Sequence, residues 1–359
     1  MRRAGWYSQP KCGFGNAFAV PHCEDEQISV ARSLKCTHSM RLAPNLPVNK
    51  NIHKFETALD VLRARTDASV ERLHRDLVRL NEFRFRPGFP FANDVEALDM
   101  LQENRLRLTE AAFVERERAA VAWQVANVPE EPIAFVTWFE TLKQTGPGQN
   151  DRLFPWLAET STLEEMRWFL GQEVAGEAGF EDLLALTQIK MPAVAKLEMA
   201  RNYWDEMGQG NQLGMHGPLL EKLATALDLH VPIDKTVWES LALSNLMAGL
   251  ASNRRYAFHS VGALGVIELT APTRAVFVNA GLKRLGVEPA ARKYFALHAT
   301  LDVQHSRAWN REVLLPLITM DPRLARPIAE GALMRLRAGE RCFSRYRQAL
   351  GLGAAYVSA

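Results

Sequence analysis

Apolar residues recur three and four positions apart along most of this chain, and this periodicity is the strongest constraint on its fold. Over residues 51–83, for example, they fall on one helical face (Phe55, Leu59, Leu62, Val70, Leu73, Leu77 and Leu80). Such spacing is typical of an amphipathic α-helix. Alternation with a period of two, the pattern of a half-buried strand, is nearly absent. The sequence therefore predicts an all-α protein.

Capping residues and helix breakers indicate where the predicted helices begin and end. Asn93 is a suitable N-cap, and Thr162 with Glu165 forms a capping-box pattern. Pro192 marks another helix start, and Gly208 marks a stop. The predicted helices span residues 51–83, 93–128, 135–142, 163–187, 192–207, 217–227, 235–252, 256–271, 273–285, 289–319 and 327–350.

Two segments interrupt the helical pattern and indicate the domain organisation. Residues 1–39 have neither helical periodicity nor the apolar segment of a secretory signal, so we expect a disordered tail. Residues 145–150, Thr-Gly-Pro-Gly-Gln-Asn, form the strongest cluster of helix-breaking residues. We therefore predict an amino-terminal helical region over residues 40–150 and a second helical domain over residues 151–359.

Charge and composition disfavour several classes of function. The 43 lysines and arginines against 41 aspartates and glutamates leave a net charge of +2, which argues against a protein that binds nucleic acid or an anionic membrane surface. No stretch of about 18 residues is free of charged and polar groups, as a membrane-spanning helix requires. The 4 cysteines show no disulfide framework, which favours a reducing compartment. We expect a cytoplasmic protein.

The sequence His298-x3-Asp302-x2-His305 is the strongest chemical signal in the chain. At about 100° per residue, Asp302 lies about 40° from His298 and His305 lies about 20° to its other side, so the three share one stripe of a helix. Two imidazoles and a carboxylate suit iron, manganese or zinc. We interpret the motif as a metal-binding face, and a solvated polar face is the alternative.

Three further positions are candidate ligands in other predicted helices. Glu206 ends one helix and His216 begins the next, so the ten-residue gap allows both side chains to meet. Taken alone, this pair is also compatible with ordinary surface residues. Glu268 has apolar neighbours on both sides, and a buried glutamate needs either a basic partner or a metal ion.

A fourth carboxylate follows from the expected packing of two helices. If the helix predicted before Lys190 packs antiparallel to the helix that ends near Glu206, equal rise per residue places Glu173 level with Glu206. Glu177, one turn nearer the tip of this hairpin, is the alternative. Either residue could instead be a solvated charge on a helix face.

These residues together resemble the haem-oxygenase-like diiron oxidases and oxygenases, a family of iron-containing redox enzymes. The similarity covers about residues 153–350 and rests on two motifs, NYWDEMGQG at residues 202–210 followed by His216, and LHATLDVQHS at residues 297–306. It implies a haem-oxygenase-like helical bundle. The iron ligands that it implies are Glu173, Glu206, His216, Glu268, His298, Asp302 and His305, with Glu177 or Glu181 as alternatives to Glu173.

The resemblance also implies an activity and its requirements. We expect a nonhaem diiron centre that cycles between Fe²⁺ and Fe³⁺ and activates O2 for N-oxygenation or C–H oxidation of a small molecule. Electrons must come from an external donor such as a reductase, because no Gly-x-Gly-x-x-Gly fingerprint for a flavin or nicotinamide follows a strand. Four carboxylates would neutralise two ferrous ions, which lowers the cost of burying them. A homodimer is expected from the family.

Other functional interpretations remain open from the sequence. A ferritin-like diiron protein typically has two Glu-x-x-His motifs, and this chain has only Glu71-x-x-His74. A true haem oxygenase requires a proximal histidine in its first helix, and neither His53 nor His74 is distinguished there. A metal-free, thiaminase-like hydrolase and a non-catalytic helical scaffold are the remaining alternatives.

Arginines near the carboxyl terminus have two interpretations. Arg335, Arg337 and Arg341 occur within seven positions of one predicted helix, where such a run is usually a solvated face. If the substrate is a carboxylate, one of them could bind it.

Overall fold

The computed structural model of the chain describes residues 67–87 and 97–353, with side chains described from residue 69 in the first segment and from residue 103 in the second. These residues form helices and turns without a strand, which confirms the all-α prediction. The tail predicted over residues 1–39 and the N-cap predicted at Asn93 lie outside the described residues.

Helices are numbered here in chain order over the described residues. They are α1 (Asp67–Phe85), α2 (Ala97–Val121), α3 (Pro132–Thr145), α4 (Leu153–Glu159), α5 (Leu163–Ala175), α6 (Phe180–Thr187), α7 (Ala193–Glu206), α8 (His216–Leu227), α9 (Trp238–Ser252), α10 (Ala257–Arg284), α11 (Lys293–Trp309), α12 (Leu315–Met320) and α13 (Ala325–Ala349). A π-helical turn, Asn310–Leu314, joins α11 to α12.

Local capping explains several of these boundaries. At the start of α5 the Glu165 backbone N–H donates to the Thr162 hydroxyl over 3.2 Å, and the Thr162 backbone N–H donates to the Glu165 carboxylate over 2.7 Å. This reciprocal pair is the predicted capping box. The helix predicted to end at Met207 ends at Glu206, where the glycine-rich turn follows.

Two predicted boundaries are wrong. The helix expected over residues 163–187 is broken: α5 ends at Ala175, and Gly179, just before α6, adopts a left-handed backbone with φ 75°. Conversely, the two helices expected on either side of Pro272 form the single helix α10. Pro272 is buried within it, so packing on both sides of the proline stabilises the continuous helix despite the lost hydrogen bond.

The apolar core is shared by helices from both halves of the described chain. One cluster contains Phe113 of α2, Phe139 of α3 and Trp309 of α11, all fully buried. A second cluster contains Phe169 of α5 and Tyr346 of α13. Side chains from before and after residue 150 therefore pack together, and the domain division proposed at that position stays a prediction.

Helix α10 has extensive contacts with α11 and α13 and also packs against α4. It approaches α13 so closely that a Cβ on Gly262 would lie 1.8 Å from the carbonyl oxygen of Ile328, and a Cβ on Gly331 would lie 1.8 Å from that of His259. Only glycine permits such an approach. This contact positions Glu268, less than two turns after Gly262 on α10.

The segment Arg254–Arg284, which contains α10, is also the one helix among the described residues that is long and apolar enough to cross a membrane by composition alone. Its most apolar window has a mean hydropathy of 1.4, but 67% of that window is buried inside the protein. This burial is consistent with a core helix of a soluble protein.

Candidate metal centre

The first two candidate ligands are brought together by a tight turn between α7 and α8. Glu206 is the last residue of α7 and His216 is the first residue of α8. The turn folds back on itself at Gly208, where φ is 61° and a Cβ would lie 2.6 Å from the carbonyl carbon of Gly214. As a result, the Nδ1 of His216 lies 2.9 Å from the Oε2 of Glu206.

The remaining candidates lie on α10 and α11, which pack against each other. Glu268 is buried on α10, and His298, Asp302 and His305 lie on α11. The exposed fraction of Asp302 is 3% and that of His305 is 5%. A buried polar stripe is therefore present where the sequence predicted one, and the alternative of a solvated helix face is excluded.

One group of potential ligand atoms consists of Glu206, His216 and His298. The Nε2 of His298 lies 3.2 Å from the Nδ1 of His216 and 3.9 Å from the Oε2 of Glu206. Ligand atoms bound about 2.1 Å from one metal ion are about 3 to 3.4 Å apart. The three atoms thus have nearly the mutual spacing that a metal ion requires.

A second group consists of Glu206, Glu268 and His305. The Nδ1 of His305 lies 3.7 Å from the Oε1 of Glu206 and 3.5 Å from the Oε2 of Glu268. All three residues are buried. The two oxygens of Glu206 therefore face different groups, Oε2 the first and Oε1 the second.

Each of the three histidines directs one ring nitrogen to the centre and the other to a neighbouring residue. The Nδ1 of His298 is 2.7 Å from the carbonyl oxygen of Tyr294. The Nε2 of His216 is 3.2 Å from the Tyr294 hydroxyl, and the Nε2 of His305 is 3.1 Å from Asp205 Oδ2. Such outer contacts determine the tautomer and the ring orientation of a metal-binding histidine.

Replacement of Asp205 by asparagine is expected to weaken iron binding 10- to 100-fold, because the carboxylate no longer orients and polarises the His305 ring. Competition of the protein with a ferrous chelator measures this loss, and Asp228→Asn, at an exposed position, is the control. Equal affinity of Asp205→Asn and the unaltered protein would exclude this positioning role. Unchanged thermal unfolding of Asp205→Asn separates it from a structural one.

Electrostatics at the centre favours the binding of cations. Burial raises the pKa of Asp302, and the charges of the Glu268 and Glu206 carboxylates raise it further. The charge of His305 lowers it, and the resulting pKa is about 9. Burial opposes protonation of His216 and His305, yet neighbouring carboxylates raise the pKa of each to about 9. Burial disfavours the charged form of Glu206, but the imidazoles of His216 and His298 hold its pKa well below the usual range. A metal ion must therefore displace protons from Asp302, His216 and His305, whereas Glu206 is already ionised.

Two buried atoms at the centre test whether these residues fit a metal. Asp302 Oδ1 and His305 Nδ1 have no hydrogen-bond partner among the described residues. A buried, unpaired carboxylate oxygen is costly unless it binds an ion. Three carboxylates and three imidazoles are also a ligand set that suits iron. The residues present therefore fit a metal centre.

The structure does not bring Glu173 into either group. Its Oε1 accepts a hydrogen bond of 2.9 Å from the Tyr346 hydroxyl. Burial raises the pKa of Glu173, although the Tyr346 hydroxyl and the charges of Arg274 and Arg335 act to lower it. The packing argument that selected Glu173 assumed one helix over residues 163–187. The break before α6 removes that assumption, so the first-helix ligand remains a prediction.

Glu181, on α6, is better placed than Glu173. Its Oε2 is buried without a hydrogen-bond partner in the described part of the chain. Its Oε1 lies close to Gly217, the residue after His216: a Cβ added to Gly217 would be 2.9 Å from this oxygen. Its charge also contributes to the raised pKa of His216. The charge of Glu177 contributes more to the raised pKa of His216 than that of Glu181 does, but one oxygen of Glu177 accepts a backbone N–H from Gly179.

Several residues at the centre have roles that the sequence did not indicate. Asn202 donates to Glu268 Oε1 over 2.7 Å, one turn before Glu206 on the same face of α7. Tyr294 precedes His298 by four residues, the spacing at which a helical carbonyl faces a following side chain. Asp205 lies within the motif at residues 202–210, but the sequence gave it no role, because its contact with His305 joins two separate helices.

A cavity of about 160 Å³ opens onto the centre. Its polar wall includes Glu206, Glu268, His298 and Asp302, and its apolar wall includes side chains such as Phe169, Leu183, Leu243, Ile267 and Val278. Its volume is enough for a small molecule, since one water needs only about 15 Å³ measured in this way. The candidate metal ligands are therefore accessible to a substrate.

Comparison with known proteins agrees with this geometry. A search of curated proteins finds no match. Residues 167–340 match a haem-oxygenase-like family described as iron-containing redox enzymes, and this segment contains both candidate metal groups. This match confirms the resemblance carried by the two sequence motifs, and over residues 167–340 the chain is similar to the iron-containing redox enzymes.

Proposed function

We propose that this protein is a nonhaem diiron oxidase or oxygenase that activates O2 for N-oxygenation or C–H oxidation of a small molecule. The proposal makes the iron-containing redox activity of the family specific in two respects, the number of iron ions and the reaction. Its ligands are Glu206, His216, Glu268, His298, Asp302 and His305, together with Glu181 as the carboxylate from α6.

The observation that supports two iron ions is the position of Glu206 between the two groups. Its Oε2 is 2.9 Å from His216 Nδ1, whereas its Oε1 is 3.7 Å from His305 Nδ1. A single metal ion bound by the first group would leave the Nδ1 of His305, which is buried without a hydrogen bond, with nothing to bind. With Glu181, Glu206, Glu268 and Asp302 ionised, two ferrous ions make the site formally neutral, which reduces the cost of burial.

Two bound iron ions would supply the redox chemistry of O2 activation. The chain's own residues determine where that chemistry occurs. Asp205, Asn202 and Tyr294 hold the ligand side chains in place, as their hydrogen bonds to His305, Glu268 and His216 indicate. The apolar wall of the cavity excludes bulk water and holds the substrate against the centre.

Further participants follow from the reaction. O2 is a co-substrate, and an external donor such as a reductase returns electrons to the iron between turnovers. A cytoplasmic location would supply such a donor, and we propose a homodimer as the assembled form.

Anaerobic titration with ferrous iron followed by mixing with oxygenated buffer tests the proposed function. We expect two iron ions per chain and O2 uptake that depends on iron. His305→Ala is expected to lose both the two-iron stoichiometry and the O2 uptake. A protein that binds no iron and hydrolyses thiamine-like compounds would instead be the metal-free hydrolase. Binding of neither iron nor small molecules, with tight association to another protein, would identify a scaffold.

The same titration distinguishes the candidate first-helix ligands. Glu181→Gln is expected to lower the stoichiometry from two iron ions to one, because it removes a carboxylate beside His216. Glu173→Gln is the matched control and is expected to retain both ions, since Glu173 contacts Tyr346 instead. Loss of an ion in Glu173→Gln but not in Glu181→Gln would contradict the assignment.

A further inference from the structure

Two arginines line the cavity without an acceptor for their hydrogen-bond donors. Arg274 lies on α10 and Arg335 lies on α13, and both side chains are part of the cavity wall. Among the described residues neither guanidinium has an ion-pair partner within 4.0 Å, and the Nε of Arg335 is buried without any hydrogen bond. Each guanidinium has five N–H donors and accepts nothing in return.

The buried Arg84 and the half-buried Arg118, by contrast, have carboxylate partners. Arg84 forms a two-pronged pair with Glu110 at 2.6 and 2.9 Å, and Arg118 donates to Glu330 over 2.6 Å. Unpaired buried charge is costly, so it is retained mainly where a ligand completes the pair. Burial and the charge of Arg335 lower the pKa of Arg274 to about 10, which expresses the same cost.

Carboxylates near the two arginines do not provide the missing acceptors. Glu173 acts on both guanidiniums by its charge, but its carboxylate forms no ion pair within 4.0 Å with either of them. Glu177 acts on Arg335 more weakly than Glu173 does, and its Oε1 is engaged by the backbone of Gly179. The guanidinium donors therefore remain free for an anion in the cavity.

The position of Arg274 relates this subsite to the metal centre. Arg274 follows Glu268 by six residues on α10, which corresponds to about 9 Å along the helix axis. Asp302 of the centre also acts on Arg274 by its charge. Apolar side chains such as Ile267 and Val278 line the same cavity. A ligand bound at the arginines by one end can thus place an apolar body beside the metal ligands.

We propose that Arg274 and Arg335 form an anion-binding subsite that holds the carboxylate of the substrate, an organic acid with an apolar body. The assignment makes the proposed function more specific. It rests on that function, because the bound acid is a substrate only if the protein is the proposed enzyme. Guanidinium groups bind carboxylates through paired, charge-assisted hydrogen bonds, which determine the orientation of the bound molecule. Oxidation then occurs at an atom remote from the carboxylate.

Binding of octanoate by the metal-free protein tests the subsite. We expect octanoate to bind at least about 10-fold more tightly than 1-octanol in calorimetric titration, because only the acid satisfies the guanidinium donors. Arg274→Met and Arg335→Met should each weaken octanoate binding at least about 10-fold. Arg337→Met is the matched control on α13, since Arg337 donates to the backbone of Ala120 rather than into the cavity.

Several results would overturn the subsite. Equal affinity for octanoate and 1-octanol, or octanoate affinity unchanged in both arginine variants, excludes it. Binding of acetate or inorganic phosphate as tight as that of octanoate shows an anion site that is not built for an apolar acid. Methionine in place of an unpaired buried arginine should leave thermal unfolding unchanged or improved, so a folding defect in both variants also contradicts the proposal.

Failure of the subsite and failure of the proposed function give different results. Octanoate binding is measured without iron and involves no proposed iron ligand. A protein that binds octanoate through these arginines but takes up no iron keeps the subsite and loses the diiron proposal. A protein that takes up two iron ions but binds octanoate only through them keeps the diiron proposal and loses the subsite.

Discussion

Glu206→Gln is expected to bind each of the two iron ions at least about 100-fold more weakly. Loss of a residue that only hydrogen-bonds to a metal ligand costs up to about 100-fold, and loss of a ligand should cost at least as much. The amide keeps the size of the side chain but has no charge and only one oxygen. It cannot provide a charged ligand to both groups, and the buried site is left with an excess positive charge. Anaerobic ferrous titration, with iron counted after desalting, measures the change.

Glu198→Gln is the matched control for this experiment. Glu198 also lies buried on α7, two turns before Glu206, and its carboxylate pairs with Arg201 rather than with a candidate ligand. We expect it to bind two iron ions. If Glu206→Gln lost one ion and kept the other with full affinity, Glu206 would act in one group only, contrary to the proposed two-iron site.

Gly262→Ala is expected to lower the free energy of unfolding by about 3 kcal/mol, the upper part of the usual range for overpacking. The added Cβ would lie 1.8 Å from the Ile328 carbonyl oxygen, and a helix backbone cannot move aside as a flexible side chain can. Helices α10 and α13 must therefore separate. Such a loss is a large part of the roughly 5–15 kcal/mol that stabilises a typical protein.

Chemical denaturation followed by helical circular dichroism measures this loss of stability. Gly353→Ala is the control, because a Cβ there has no atom within 4 Å. Gly331→Ala should behave like Gly262→Ala, since its Cβ would meet the His259 carbonyl oxygen at the same crossing. A denaturation midpoint of Gly262→Ala equal to that of the control would show that the crossing relaxes easily.

Local features of the site could be predicted from the sequence because helix geometry is local. His298, Asp302 and His305 share one face of α11 as a direct result of the angle per residue. The closeness of Glu206 and His216 was also predictable, since a short glycine-rich turn joins them. Glu268 was identified because a carboxylate within an apolar helix needs a partner.

The carboxylate on the first core helix could not be predicted in the same way. Its position depended on whether residues 163–187 form one helix, and the pattern of apolar residues runs through the break at Gly179. Helix α5 ends at Ala175, and α6 begins only after the left-handed Gly179, so the level at which Glu173 was expected no longer follows. Pro272 produced the opposite error, because tertiary packing maintained a helix that the residue by itself interrupts.

The all-α fold, the capping box of Thr162 and Glu165 and the polar stripe of α11 were determined by the sequence alone, since each depends on residues within a few positions of one another. Tertiary structure decided that the two oxygens of Glu206 face separate groups, that Asp205 contacts His305, and that Arg274 and Arg335 share one cavity. These relations join residues on different helices. Their distances follow from how closely the helices pack, as at Gly262, and no spacing along the chain expresses that quantity.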